Sequence, residues 1–200
     1  MEIKINGTVP QLLEYQLVIE LPADLHRQIE AERLQLTENY GILQPPTGRP
    51  AVSLARFKAS KMMERKIINK LQQLVIKEKA FMIEIKDFGS YPMHAVFIEI
   101  SNQEKILALI KNLKQARQLM KAAGDEPYFL LDPQIVLAGR LANDKFIEIM
   151  KEYAHKKFAG NFLADSFLLL KKNEAEKKYE VVKRFEFEHE VVKKPQGVLF

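Results

Sequence analysis

The sequence predicts an α+β fold in which a duplicated unit forms two lobes, with antiparallel sheets lining a central groove and helices outside. Two observations carry this. Helical and strand-like patterns are interleaved, and several strands are joined by short turns, which argues for hairpins rather than a doubly wound parallel sheet. The chain also repeats itself. Ala51-Val52-Ser53-Leu54 and Gln134-Ile135-Val136-Leu137 each follow a proline, Pro50 and Pro133, and each opens the succession strand, helix, strand, strand.

The elements follow in order. Gln11 to Leu21 alternates as a strand through Tyr15, Leu17 and Ile19. Pro22 suits a helix start, and Ala23 to about Thr37 places Leu25, Ile29 and Leu36 on one side. Asn39 to Gly48 is turn-rich, with Pro45-Pro46 inside it. Ala51 to Phe57 is a strand. Met62 to about Lys77 is a helix with an apolar stripe of Met63, Ile67, Leu71, Leu74 and Val75.

Phe81 to Ile85 is a strand, Asp87 to Pro92 a turn, and His94 to Ile100 the returning strand. Gln103 to Ala122 is a third helix, ended by Gly124 to Pro127. Tyr128 to Leu131 and Gln134 to Leu137 are extended. A fourth helix runs from Asn143, a good N-cap type, to near His155. Phe162 to Leu170 and Tyr179 to Phe187 form a strand pair joined by the charged run Lys171 to Lys178. The expected organisation is a flexible leader over 1–10, one bilobal domain over 11–188 with repeats at 51–100 and 134–187, and a tail over 189–200.

Bulk composition narrows the function. Two hundred residues that are 47% apolar suffice for one substantial core. There is no cysteine, which excludes disulfides and thiolate metal sites and fits a reducing, cytoplasmic setting. No apolar run reaches the roughly 20 residues that span a bilayer, so no membrane role is expected. The net charge of +5 permits a phosphate-bearing partner without requiring one. No Gly-rich phosphate loop, nucleophile elbow or His-x-x-x-His spacing occurs. Neither metal nor cofactor is expected.

Several stretches carry a resemblance. They are Arg49-Pro50-Ala51-Val52-Ser53-Leu54, Phe129 to Ala138, Tyr153 to Asp165, Leu168 to Lys171 with Tyr179 to Phe185, and Lys86 to Pro92. Over roughly residues 11 to 188 the chain resembles the 2H phosphoesterase superfamily, the 2′-5′ RNA ligase-like and cyclic phosphodiesterase proteins. That resemblance implies two His-x-Thr/Ser-x tetrads, one per lobe. One histidine would remove a proton from the attacking group, the other would protonate the leaving oxygen, and the hydroxyls would hold phosphate.

This sequence departs from the pattern at the tetrads themselves. Ala51 and Gln134 stand where the histidines are expected, Ser53 keeps the first hydroxyl position, and Val136 replaces the second. Histidine suits the work because its pKa of about 6.5 lets it hold or release a proton near neutrality. Alanine has no polar side-chain atom, and a glutamine amide hydrogen-bonds without titrating. The expected function is therefore a catalytically inactive 2H-type protein that binds a phosphate, nucleotide or RNA end. The expected ligand-binding residues are Ser53, Gln134, Arg140 and Arg56. Regular strand alternation puts Arg140 on the face of Gln134 and Arg56 on the face opposite Ser53.

Two other readings stand beside it. One is an active phosphodiesterase with a displaced site built on His94, Ser53 and Gln134. The other is a protein-interaction module with an apolar groove. Of the remaining histidines, His26 lies beside Arg27 on a helix, His155 closes a helix, and His189 lies in the tail. None of the three marks a site.

Overall fold

The computed structural model describes residues 12–42, 46, 48–173 and 178–188; the expected leader and tail lie outside these. Among the described residues nine strands form two antiparallel sheets. One runs β5-β2-β1-β8-β9, with β1 at Leu12–Glu20, β2 at Ala51–Ser60, β5 at Tyr128–Phe129, β8 at Ser166–Lys172 and β9 at Glu180–Glu186. The other runs β6-β4-β3-β7, with β3 at Phe81–Tyr91, β4 at Ala95–Ile100, β6 at Gln134–Gly139 and β7 at Ala159–Ala164. The α+β, two-sheet expectation is the architecture observed.

Helices cover the outer face of each sheet. Helix α1 (Ala23–Tyr40) lies against β6, and α5 (Asn143–Tyr153) packs beside α1. Tyr153 meets Phe88 of β3 edge-on, with ring centroids 5.0 Å apart. Helices α2 (Lys61–Val75), α3 (Glu104–Leu113) and α4 (Arg117–Met120) cover the five-stranded sheet. The stripe read from α2 is buried at Ile67, Leu71 and Val75. Burying each such side chain contributes roughly 1.5–3 kcal/mol. Within that sheet Tyr15 stacks on Phe57, and Phe167 on Phe185.

Four local expectations are corrected. Residues 87–91 continue β3 instead of turning, and the reversal falls at 92–94. Asp87 takes a left-handed φ of 58° inside a β-bulge between Ile85 and Phe88. It is pinned there: its N–H donates to the Phe158 carbonyl at 2.7 Å, and Lys157 Nζ donates to its carboxylate at 3.2 Å. The Lys157 hydrogen bond holds the Asp87 carboxyl below its usual range.

The strand expected over 162–170 is split at Asp165. Residues before it pair with β3 in one sheet, and residues after it pair with β1 in the other. Phe162 and Ala164 alternate inward before the break, whereas Ser166 to Leu169 after it are all buried. The third helix stops at Leu113 and is followed by a 3-10 turn over Lys114–Ala116 and then α4, which keeps Ala116 and Met120 buried. Ala142, not Asn143, occupies the N-cap position of α5.

Candidate functional groove

The two tetrads sit on β2 and β6, one in each sheet, and these strands lie against one another. Their settings correspond residue by residue. In the first sheet Glu20 pairs with Ala51, Ile19 with Val52, and Val18 with Ser53. In the second Glu99 pairs with Gln134, Ile98 with Ile135, and Phe97 with Val136. The matched pairs are thus β1–β2 and β4–β6, so each tetrad strand pairs with a strand that precedes it in the chain.

Each tetrad ends in a β-bulge. The partner of Leu17 is Ala55 while that of Val18 is Ser53, so Leu54 is the extra residue in β2. The partner of Val96 is Ala138 while that of Phe97 is Val136, so Leu137 is extra in β6. A bulge shifts the side-chain alternation by one residue. Leu54 with Ala55 and Leu137 with Ala138 are accordingly consecutive buried pairs.

The consequence reverses both expectations about the arginines. After the bulge Arg56 returns to the face of Ala51 and Ser53, and it is exposed between buried Ala55 and Phe57. In β6 the equivalent place belongs to Gly139. Arg140 lies just past the strand end, exposed, with a left-handed φ of 54°. Regular alternation failed at both places for the same reason.

The groove face of the first sheet carries Ala51, Ser53, Arg56 and Lys58 from β2, and Glu14, Gln16 and Glu20 from β1. Most of its charges are paired. Glu20 accepts from Arg184 at 2.6 Å and meets Arg49 at 3.4 Å. Lys172 meets Glu14 at 3.3 Å, and Lys58 meets Asp125 at 3.7 Å. Gln16 Nε2 donates to the Tyr179 hydroxyl at 2.8 Å, and that hydroxyl donates to Glu14. Arg56 enters no ion pair among the described residues. Its neighbour across β5 is Tyr128, which is 67% exposed.

The second half of the groove is closed by a side chain the sequence did not single out. Tyr91 lies over Phe97, with ring centroids 5.0 Å apart. Its hydroxyl donates to the Asp132 carboxylate. The Asp132 hydrogen bond, with burial next, pushes the Tyr91 phenol up to about 12. The phenol therefore keeps its proton at neutral pH. The Gln134 side-chain oxygen, Oε1, is buried with no partner among the described residues. Gly89 makes room for this arrangement: a Cβ there would come within 2.4 Å of the Phe97 ring and 2.5 Å of the Glu99 carboxylate.

Arg33 is a second unforeseen member. Its side chain, only 11% exposed, reaches from α1 to the edge of β6. Nε and one terminal nitrogen donate to the Val136 carbonyl at 3.1 and 2.7 Å, and the other donates to the Gly48 carbonyl at 2.9 Å. Burial lowers its pKa, opposed by Glu30 at 3.6 Å. As an arginine in a polar helix, it gave no signal that separated it from a solvated charge. Tyr91 and Asp132 lay within the stretches of resemblance, but nothing in their spacing shows that they meet.

His94 lies in the exposed turn after β3, where its carbonyl accepts from the Leu141 N–H at 3.1 Å. It is not on the strand face that carries Gln134. Tyr40 donates to Glu152 at 2.6 Å between α1 and α5, away from the tetrads. An open depression of about 650 Å³ lies elsewhere, beside the Asp87 bulge and Lys157. Among the described residues no group of three or more His, Asp or Glu side chains is placed to hold a metal ion.

No protein-family model matches the sequence, and no curated protein matches it. Solved structures do. E. coli LigT complexed with 3′-AMP superposes with a TM-score of 0.69 at 16% identity, over 90% of this chain and all of LigT. LigT complexed with phosphate gives 0.65 at 16% identity, over 90% of this chain and 99% of that one. A structure described as a phosphoesterase gives 0.61 at 18% identity, over 88% and 99%. Identities this low speak for fold alone. The two-sheet α+β fold expected from the sequence is the fold this chain adopts, and it shares that fold with LigT and with the structure described as a phosphoesterase.

Proposed function

We propose that this protein is a 2H phosphoesterase-type protein that binds a phosphate, nucleotide or RNA end in its groove without turning it over. The observation that carries the reading is the pair Ala51 and Gln134. They hold equivalent points on two matched, bulged strands, each opposite a glutamate. Neither side chain can pass a proton at neutral pH, and the nearby Tyr91 phenol is held protonated. A positioned general acid or base typically contributes about 10²- to 10⁴-fold, so the loss of both leaves little catalysis.

Binding chemistry remains. Ser53 offers a hydroxyl, Arg56 a guanidinium, and Gln134 an amide; Arg140, at the end of β6, would meet a longer RNA. That LigT was crystallised with phosphate and with 3′-AMP supports a ligand of this class. No described helix is long and apolar enough to cross a membrane. The proposed setting is the cytoplasm.

The test is an assay of purified protein against 2′,3′-cyclic nucleotides and 2′-5′-linked oligonucleotides. The expected result is binding without turnover above background. Turnover that disappears in a folded His94→Asn variant would overturn the reading in favour of a displaced active site.

A further inference from the structure

The two sheets end in four edge strands, and three of them are guarded. β5 is only two residues long. The Val136 carbonyl of β6 is taken by Arg33 from α1. β9 carries Glu180, Lys183, Arg184 and Glu186. The fourth edge, β7, reads Ala-Gly-Asn-Phe-Leu-Ala and holds no charge. An uncharged, open edge strand is a template for another strand.

The pairing of β3 fixes which groups of β7 are free. Glu84 turns its backbone toward the β4 side: its N–H donates to the Asn102 side chain at 2.8 Å, and its carbonyl accepts from the Ser101 N–H at 2.9 Å. Ile83 and Ile85, on either side of it, therefore turn toward β7, opposite Phe162 and Gly160. Phe158 keeps the same parity, since its carbonyl accepts from the Asp87 N–H. The backbone groups of Ala159, Asn161 and Leu163 then point outward, and no backbone partner meets them among the described residues.

The side chains along this edge complement themselves. Lys157, Ala159, Asn161, Leu163 and Asp165 are exposed, while Phe162 and Ala164 between them are buried. Lys157, at one end, is 80% exposed. Asp165, at the other, accepts from the Ser166 hydroxyl and enters no ion pair among the described residues. Leu163 lies exposed beside its exposed cross-strand neighbour Met82. Two antiparallel copies related by a twofold axis at Asn161 bring the outward groups into hydrogen-bonded register. Asn161 then faces its own copy, Leu163 faces the small Ala159 of the other copy, and Lys157 faces Asp165 at both ends. A shift of two residues keeps the backbone match but parts the charges.

We infer that β7 is a self-association edge, through which two copies of this chain join into one continuous sheet, held in register by Lys157 of each copy against Asp165 of the other. A six-residue edge buries less than a standard interface, so the dimer is weak and depends on concentration. The tetrad groove stays open in it, because β6 and β7 are opposite edges of their sheet.

The experiment is sedimentation velocity of the full chain over a concentration series at low salt, with each variant checked for folding by circular dichroism. The unaltered protein should pass from monomer to dimer as concentration rises. Asn161→Pro removes an outward N–H that the fold does not use, and should weaken the dimer about tenfold or more. Leu163→Lys, a charge placed on the open edge, should do the same. Lys157→Glu and Asp165→Lys each set like charges opposite one another at both ends, and each should weaken it about tenfold. An equal mixture of these last two variants sets unlike charges opposite one another again, and should associate within about threefold of the unaltered protein. A local structural defect in either variant would not be repaired by mixing. A protein that stays monomeric at every concentration would overturn the inference. So would a dimer unmoved by Asn161→Pro and Leu163→Lys, or a mixture that associates no better than its components.

Discussion

The two tetrad strands are alike in backbone and unlike in what surrounds them. Both carry a bulge at the fourth residue of the tetrad, and the first residue of each tetrad pairs with a glutamate, Glu20 or Glu99. Yet β2 lies inside its sheet, and the carbonyl of its extra residue Leu54 is taken by the Leu130 N–H at 3.0 Å. In contrast, β6 is an edge strand, and its Val136 carbonyl is met by the guanidinium of Arg33. A backbone clamp serves one half and a long side chain from another element serves the other. A carbonyl beside the bulge thus finds a donor in each half, once from the backbone of a neighbouring segment and once from a side chain of α1.

Breaking the side-chain clamp should have the largest effect. Arg33→Ala leaves two carbonyls without their donor and opens space beneath β6, so a loss of about 2–4 kcal/mol is expected from urea unfolding midpoints. Arg33→Lys should recover only part of it, because one ammonium cannot serve Val136 and Gly48 in the same geometry. A loss under about 0.5 kcal/mol for Arg33→Ala would mean the clamp carries no weight.

Next comes Gly89→Ala. The new methyl would overlap the Phe97 ring and the Glu99 side chain, costing about 1–3 kcal/mol by the same measurement. The effect is confined to the second half, since the first has no aromatic shelf of this kind. An unchanged midpoint would show that the shelf yields freely.

Returning histidine to each tetrad sharpens the contrast further. Ala51→His adds a side chain to a half-buried position facing the groove and should shift stability by less than about 1 kcal/mol. Gln134→His replaces a side chain whose Oε1 is buried and should shift it more. Equal shifts would make the two halves equivalent. Unfolding on the double change would show a groove repacked beyond recovery.

The smallest effect belongs to pH. The Tyr91 phenol is raised from its ordinary 10.0 to about 12 by its hydrogen bond to Asp132. Its folded pKa lies above the unfolded one, so its contribution is fully present below about pH 10 and is lost as pH rises towards 12. Tyr91→Phe should remove one phenol from the part of the ultraviolet titration near pH 12, a region it shares with Tyr40. Loss of a phenol that titrates near 10 instead would show that the Tyr91–Asp132 hydrogen bond is open in solution.

Much of this was legible in the residues themselves. The apolar stripe of α2, the alternation of β1, and the echo of Pro50–Leu54 in Pro133–Leu137 are local patterns, and local patterns follow from the periods of helix and strand. The chemistry of Ala51 and Gln134 was equally plain, because whether a side chain can carry a proton is a property of its type. Tertiary structure alone decided which side chains share the groove. A bulge is a mismatch between two strands, so neither strand's sequence contains it; only pairing β1 with β2 and β4 with β6 moved Arg56 in and Arg140 out. The reach of Arg33 to β6 and of Tyr91 to Asp132 spans 103 and 41 residues of chain. Contacts that distant are set by how the sheets are assembled, and no window of sequence holds both partners.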